Sequence, residues 1–253
     1  TRWAEYAELA ALFFIQGAAL GMWFVPLSTV LDAHGLHGIK PYAFATSALA
    51  AFVSPLIFGA MADRHASPVM VLRGLSLATA AAMALAATAI ELGWNPWCVL
   101  ALIQVHALCS SPTWSISCTI IFDRLQDAKR EFGPVRAVGT LGWMSGCWLV
   151  SALNADTSSL AGYSGAATWL VVAAFTFLLP SVAPPKSAQR LTMNQRLGLD
   201  ALSLLKSHDH RVVFITAGLL NIPLAAFYHY KPTHLRALGF DHNSAWMPLG
   251  QIT

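Results

Sequence analysis

Charged side chains are scarce in this sequence. Asp, Glu, Lys and Arg make up 11% of the chain, against roughly 25% in an ordinary soluble domain, which excludes a polypeptide solvated by water over its whole surface. The four cysteines, Cys98, Cys109, Cys118 and Cys147, show neither a CxxC pair nor Cys/His ligand spacing, so no zinc site and no disulfide framework is expected. Hydrolase signatures are missing as well. With no HExxH, no GxSxG and no Ser/His/Asp arrangement, the chain is not expected to be an enzyme. No Lys/Arg cluster stands beside aromatic residues, so the net charge of +3 is no nucleic-acid footprint. No metal and no cofactor is implied.

What is abundant is apolar. The hydrophobic fraction is 56% and the mean hydropathy +0.56 over 253 residues, distributed in long blocks separated by short polar punctuation. A bilayer core of roughly 30 Å takes about 20 residues of helix. Blocks of that kind run from about Ala11 to Leu31, Tyr42 to Ala62, Val69 to Ile90, Trp97 to Phe122, Pro134 to Leu153, Gly162 to Pro180 and Val212 to Tyr230. The first is too long, and too plainly continued by others, for a cleaved signal peptide. A further block begins near Ser244 and reaches Thr253 incomplete, so the chain reads as a fragment. An all-α polytopic membrane protein is expected, dissolved in a lipid bilayer.

Positive loops stay in the cytoplasm. With the N-terminus inside, Arg2, Arg64, Arg73, Arg124, Lys129, Arg130, Arg136, Lys186, Arg190, Arg196, Lys206 and Arg211 fall on the cytoplasmic side, and only Lys40, Lys231 and Arg236 outside. The longest polar stretch, from Ser181 to His210, opens with the Pro-rich run SVAPPKSAQR, through which no helix continues. Three parts are expected: a six-helix bundle over 1–180, a cytoplasmic central loop over 181–210, and the start of a second bundle over 211–253. This is the layout of a secondary transporter built from two six-helix halves. Close helix contact in lipid relies on small residues, and the first block carries GAALG at Gly17 to Gly21 while the fifth carries Gly139, Gly142 and Gly146. These faces are expected to meet neighbours closely.

After the second block stands GAMADRHASP, in which Gly59, Asp63 and Arg64 match the G-x-x-x-D-R loop pattern of the major facilitator superfamily. An acidic group near a helix end with a guanidinium beside it can form charge-assisted hydrogen bonds in one transporter state and release them in another; the plainer alternative is a positive-inside loop. Within that superfamily the chain resembles the nucleoside:proton symporter family. Gln16, Gly21 and Trp23 match in the first block, and Pro112, Thr113 and RLQDA at Arg124 to Ala128 in and after the fourth. GPVRAVGTLGW from Gly133 to Trp143 and LGLDALSLLK from Leu197 to Lys206 follow, and Gln251 falls where the family has a Gln early in its eighth helix.

The resemblance implies a major facilitator fold, here the first six-helix bundle, the seventh helix and the start of the eighth. It implies a proton-coupled importer of nucleosides in a bacterial inner membrane, working as a monomer by alternating access. It also implies a substrate site between the halves, to which the fifth helix contributes an Arg, a Thr and an aromatic ring. The matching residues are Arg136, Thr140 and Trp143, whose spacing of four and three places them on one helical face. Arg136 and Thr140 could bond ribose hydroxyls or base carbonyls, and Trp143 could stack. The alternative for Arg136, only two residues past Pro134, is a snorkelling side chain at the headgroups. In the seventh block Ala225 and Tyr228 stand where the best-known members place Gln and Asn; Tyr228 could replace an amide and stack, or lie at the interface as aromatics do. Binding candidates are thus Arg136, Thr140, Trp143, Tyr228 and Gln251.

Proton coupling needs a titratable group inside the membrane. His106 is the one clearly inside an apolar block, with a hydrogen-bonded packing role as its alternative. The Glu that the family places three residues after Gln251 would fall at position 254. Two rival functions share the fold: a transporter for a sugar or other small polar solute, and a membrane sensor without turnover.

Overall fold

The computed structural model of the chain describes residues 2–45, 47, 48, 50, 54, 67–180 and 199–251. These are helical apart from turns and short connecting stretches, with no strand among the described residues. The helices are α1 (Arg2–Phe24), α2 (Leu27–Ala33), α3 (Pro68–Glu91), α4 (Pro96–Phe122), α5 (Ala128–Ala152), α6 (Leu160–Phe175), α7 (His208–Ala237) and α8 (Asn243–Trp246), with 3-10 helices over Leu199–Lys206 and Met247–Gln251. Residues 40–45, 47, 48, 50 and 54 are helical too, where the second block was expected.

Capping chemistry explains where α3 and α4 begin. Ser67 accepts a hydrogen bond from the Met70 amide and Asn95 accepts one from Trp97, each followed by a proline at the first helical position, where the missing N–H costs nothing. Between them the chain reverses at Gly93, whose φ of 63° suits the left-handed C-terminal turn that glycine adopts freely. Elsewhere the apolar blocks and the helices differ. The first block is broken at Pro26, which starts the separate short helix α2. Helix α5 begins at Ala128 rather than Pro134 because Asp127 accepts from the Arg130 amide and caps the polar first turns, so Pro134 lies inside the helix. Helix α6 stops at Phe175, five residues before Pro180, and α7 extends past both ends of its apolar block.

Trp3–Ala33, Pro68–Glu91 and Pro96–Phe122 are long and apolar enough to cross a membrane among the described residues, and Leu160–Phe175 is a shorter apolar helix. Exposed apolar side chains line their outer faces, among them Leu77, Leu85, Val105 and Leu170. A water-soluble domain would not leave so many large apolar residues uncovered. The chain is an integral membrane protein.

Helices α1 and α5 run parallel, joined by the expected small residues. A Cβ on Gly17 would overlap the Gly139 carbonyl, one on Gly21 the Trp143 carbonyl, one on Gly142 the Phe14 carbonyl and one on Gly146 the Ala18 carbonyl. Backbone therefore meets backbone along both helices, the closest approach available to dispersion forces in lipid. Helix α3 packs on α4 and α6, and α6 also on α1, around a core that includes the fully buried Leu12, Leu72, Met83 and Trp169.

Candidate functional site

Arg136 lies in the third turn of α5, about 12 Å along the axis from Ala128 at 1.5 Å per residue. With Thr140 and Trp143 one and two turns further on, it lines an open cavity of about 160 Å³. The wall is completed by Gly17 from α1, Trp114 from α4, Gly139 from α5 and Tyr228 from α7. The helix therefore starts early enough to carry Arg136 past its polar end, and the guanidinium sits 4.5 Å from the centre of the Trp114 ring. No carboxylate pairs with it among the described residues.

Two of the cavity's rings continue into an aromatic cluster beside it. Phe24, Trp143 and Tyr228 form a three-ring cluster, with centroids 5.9 Å apart for Phe24 and Trp143, 5.1 Å for Phe24 and Tyr228, and 6.2 Å for Trp143 and Tyr228. Tyr228 is half-buried in this cluster, in a helix that holds Pro223. A guanidinium and a hydroxyl beside flat rings suit a ligand that carries oxygen acceptors and a planar face.

Beyond the aromatic cluster, at the end of the bundle away from the N-terminus, α7 and α8 are tied to the first six spans. Lys40 Nζ donates to Asp32 Oδ2 at 2.7 Å and to Thr233 Oγ1 at 3.1 Å, and the Ser244 amide donates to Asp156 Oδ1 at 2.6 Å. At the opposite end Val212, Val213, Phe214 and Ile215 on α7 are exposed.

The remaining candidates are placed apart. His106 is buried against the edge of Trp23, with ring centroids 6.2 Å apart, beside a second cavity of about 120 Å³. Its Nδ1 has no hydrogen-bond partner among the described residues, and no charged side chain lines that cavity. Gln251 ends the last 3-10 helix, and its side chain lies outside the described residues. So do Gly59, Asp63 and Arg64. Two of the motif matches meet across helices, where Gln16 Nε2 donates to Thr113 Oγ1 at 2.9 Å and Thr113 Oγ1 donates to the Ser110 carbonyl at 2.5 Å.

Sequence reasoning missed Trp114 and Phe24. The available signal for Trp114 was an indole in the middle of an apolar block, directly after Pro112 and Thr113, rather than at a headgroup level.

Residues 5–253 match the sequence profile of the family described as Nucleoside H+ symporter. YegT of Escherichia coli, which carries a nucleoside-transporter name, is 31% identical over 261 residues, covering 98% of this chain and 59% of its own length. Nucleoside permease NupG of Escherichia coli is 26% identical over 266 residues, covering 97% and 62%. Crystal structures of nucleoside transporter NupG, one of a mutant, superpose at 25% identity with TM-scores of 0.82 and 0.78, covering 98% of this chain and 64% of theirs. The chain thus spans about three-fifths of the length of the curated relatives it matches. The fold is that of the major facilitator superfamily.

Proposed function

This chain belongs to the nucleoside H+ symporter family, and on that premise we propose that its protein imports nucleosides together with protons across a bacterial inner membrane by alternating access. The observation that carries the reading is the convergence of Arg136, Thr140 and Trp143 from α5 with Tyr228 from α7 on one cavity. Ribose hydroxyls or base carbonyls would accept from Arg136 and Thr140. The base would lie against Trp143 and Tyr228, and ring stacking on a base is worth about 1 to 3 kcal/mol in single-strand binding proteins.

Residues 1–180 act as one half of the transporter, 181–210 as the cytoplasmic connection, and 211–253 as the beginning of the second half. The N-terminus is cytoplasmic, as the distribution of Lys and Arg supports. The Asp32, Lys40 and Thr233 contacts tie the two parts together on the outer side. Gln251 joins the site from the second half, and Gly59, Asp63 and Arg64 act as the cytoplasmic switch loop. His106 is a proton-linked candidate inside the first half. The working unit is a monomer in the lipid bilayer.

The test is uptake of radiolabelled uridine by energised cells expressing the intact natural protein, with and without a protonophore. Protonophore-sensitive uptake that falls at least about tenfold in Arg136→Ala, as loss of a charge-assisted hydrogen bond implies, supports the assignment. Uptake untouched by that substitution favours a sugar or other small polar solute as the natural cargo. Binding without any uptake identifies a sensor.

A further inference from the structure

Arg136 is exposed in the cavity and has no carboxylate among the described residues to hold it. A free arginine side chain carries about 2 kcal/mol of rotamer entropy, and its natural escape is to extend along the helix toward the headgroups. One described group opposes that escape. The guanidinium lies over the indole of Trp114, 4.5 Å from the ring centre, within the range where the negative face of the ring attracts a cation.

The indole is itself fixed from three directions. Phe13 of α1 stacks on it at 4.7 Å between centroids and 11° between planes. Gly139 of α5 gives it room, since a Cβ there would come within 3.2 Å of the outer edge of the indole. The preceding residue, Thr113, is tied to Gln16 of α1 by the 2.9 Å hydrogen bond. Three helices thus converge on one ring, and that ring bears the only aromatic face the structure gives to Arg136 among the described residues.

We propose that Trp114 is a positioning residue for the substrate site: it holds the Arg136 guanidinium at the cavity wall so that its N–H groups are already aimed at an oxygen acceptor of the nucleoside. This rests on the transport reading of the cavity. Organising a donor before the ligand arrives removes an ordering cost from binding. Loss of the ring should therefore weaken affinity while leaving the rate of a saturated carrier nearly unchanged.

The experiment is a double-mutant cycle in the intact natural protein. Uridine dissociation constants of purified protein and the KM of uridine uptake are measured for wild type, Trp114→Leu, Trp114→Phe, Arg136→Ala and the Trp114→Leu/Arg136→Ala pair, normalised to the amount of protein in the membrane. Trp114→Leu should weaken both about two- to fivefold, the scale of a cation–π contact at an exposed site, with maximal rate changed less than about twofold. Trp114→Phe, which keeps a ring face, should stay closer to wild type than Trp114→Leu does. In the Arg136→Ala background Trp114→Leu should add nothing, because the group it positions is gone. An equal weakening in both backgrounds, or no weakening at all, overturns the proposal. If Trp114→Leu fails to reach the membrane, Trp114→Met enters the cycle in its place, similar in bulk but without the ring. A wild type that neither binds nor takes up uridine or adenosine overturns the transport reading and this inference together, whereas active wild type with an additive cycle overturns this inference alone.

Discussion

Gly142→Ala and Gly133→Ala place the same methyl group on the same helix, α5, and the structure assigns them different costs. At Gly142 the added Cβ would overlap the Phe14 carbonyl, with the Phe14 Cα and carbonyl carbon also too close, whereas at Gly133 it meets nothing within 4 Å. Backbone cannot swing aside as a flexible side chain does, so α1 and α5 must separate by about 1 Å, and overpacking of this kind costs about 1 to 3 kcal/mol. Gly133 is free of that interhelical penalty, and the roughly 0.4 to 1 kcal/mol gained where a helical glycine becomes alanine is offset by crowding of the new Cβ against the following Pro134, so Gly133→Ala should be close to neutral. The two variants should then differ by about 1 to 3 kcal/mol, a melting-temperature gap of several degrees for a protein of this size. Intrinsic-fluorescence melting of the two purified variants in one detergent measures that gap. Uridine affinity should fall in Gly142→Ala, since a displaced α5 carries Arg136, Thr140 and Trp143 with it, and stay level in Gly133→Ala. Equal melting temperatures, or a Gly142→Ala protein as stable as Gly133→Ala, would refute the claim that backbone contact sets the spacing of these helices.

Further outcomes follow from single contacts. Thr140→Val keeps the shape and removes the hydroxyl, so uridine KM should rise roughly threefold to tenfold, the worth of one neutral hydrogen bond of about 0.5 to 1.5 kcal/mol, as read in the uptake assay; an unchanged KM removes Thr140 from the site. Asp32→Asn leaves the buried Lys40 ammonium without its 2.7 Å carboxylate partner, which should cost up to about 3 kcal/mol and lower the melting temperature. Asp32→Asn/Lys40→Met should recover part of that loss, and a double variant less stable than the single one would contradict it.

Much of the fold could be read from the chain because punctuation and hydropathy coincide. Ser67–Pro68 and Asn95–Pro96 are capping pairs placed at the edges of apolar blocks, so α3 and α4 begin within a residue of where those edges fall. Gly17, Gly21, Gly139, Gly142 and Gly146 were legible as close-contact positions because only residues without bulk allow backbones to touch. The side-chain trio on α5 was legible as a face because its spacing obeys the helical period. The start of α5 was not. Ala128 to Glu131 is polar, hydropathy discards it, and the Asp127 cap that makes it helical counts for little beside a proline six residues into the helix. Trp114 escaped for a different reason, since its importance lies in its meeting with Phe13 and Arg136 across three helices, and one sequence carries no record of which helices adjoin. The same holds for Lys40 and Thr233, joined across 193 positions of sequence.

On the transport reading proposed above, the glycine seam between α1 and α5 makes this pair of helices a fixed jaw. Gly17, Arg136, Thr140 and Trp143 are all mounted on two helices whose backbones are already in contact, so they have no slack with which to widen or narrow the cavity among themselves. Grip on a cargo must be tightened and released by the opposing piece, and of the rings at hand Tyr228 is the one mounted on it. Whatever distinguishes a loaded from an empty carrier should register as movement of α7 against a wall that stays still.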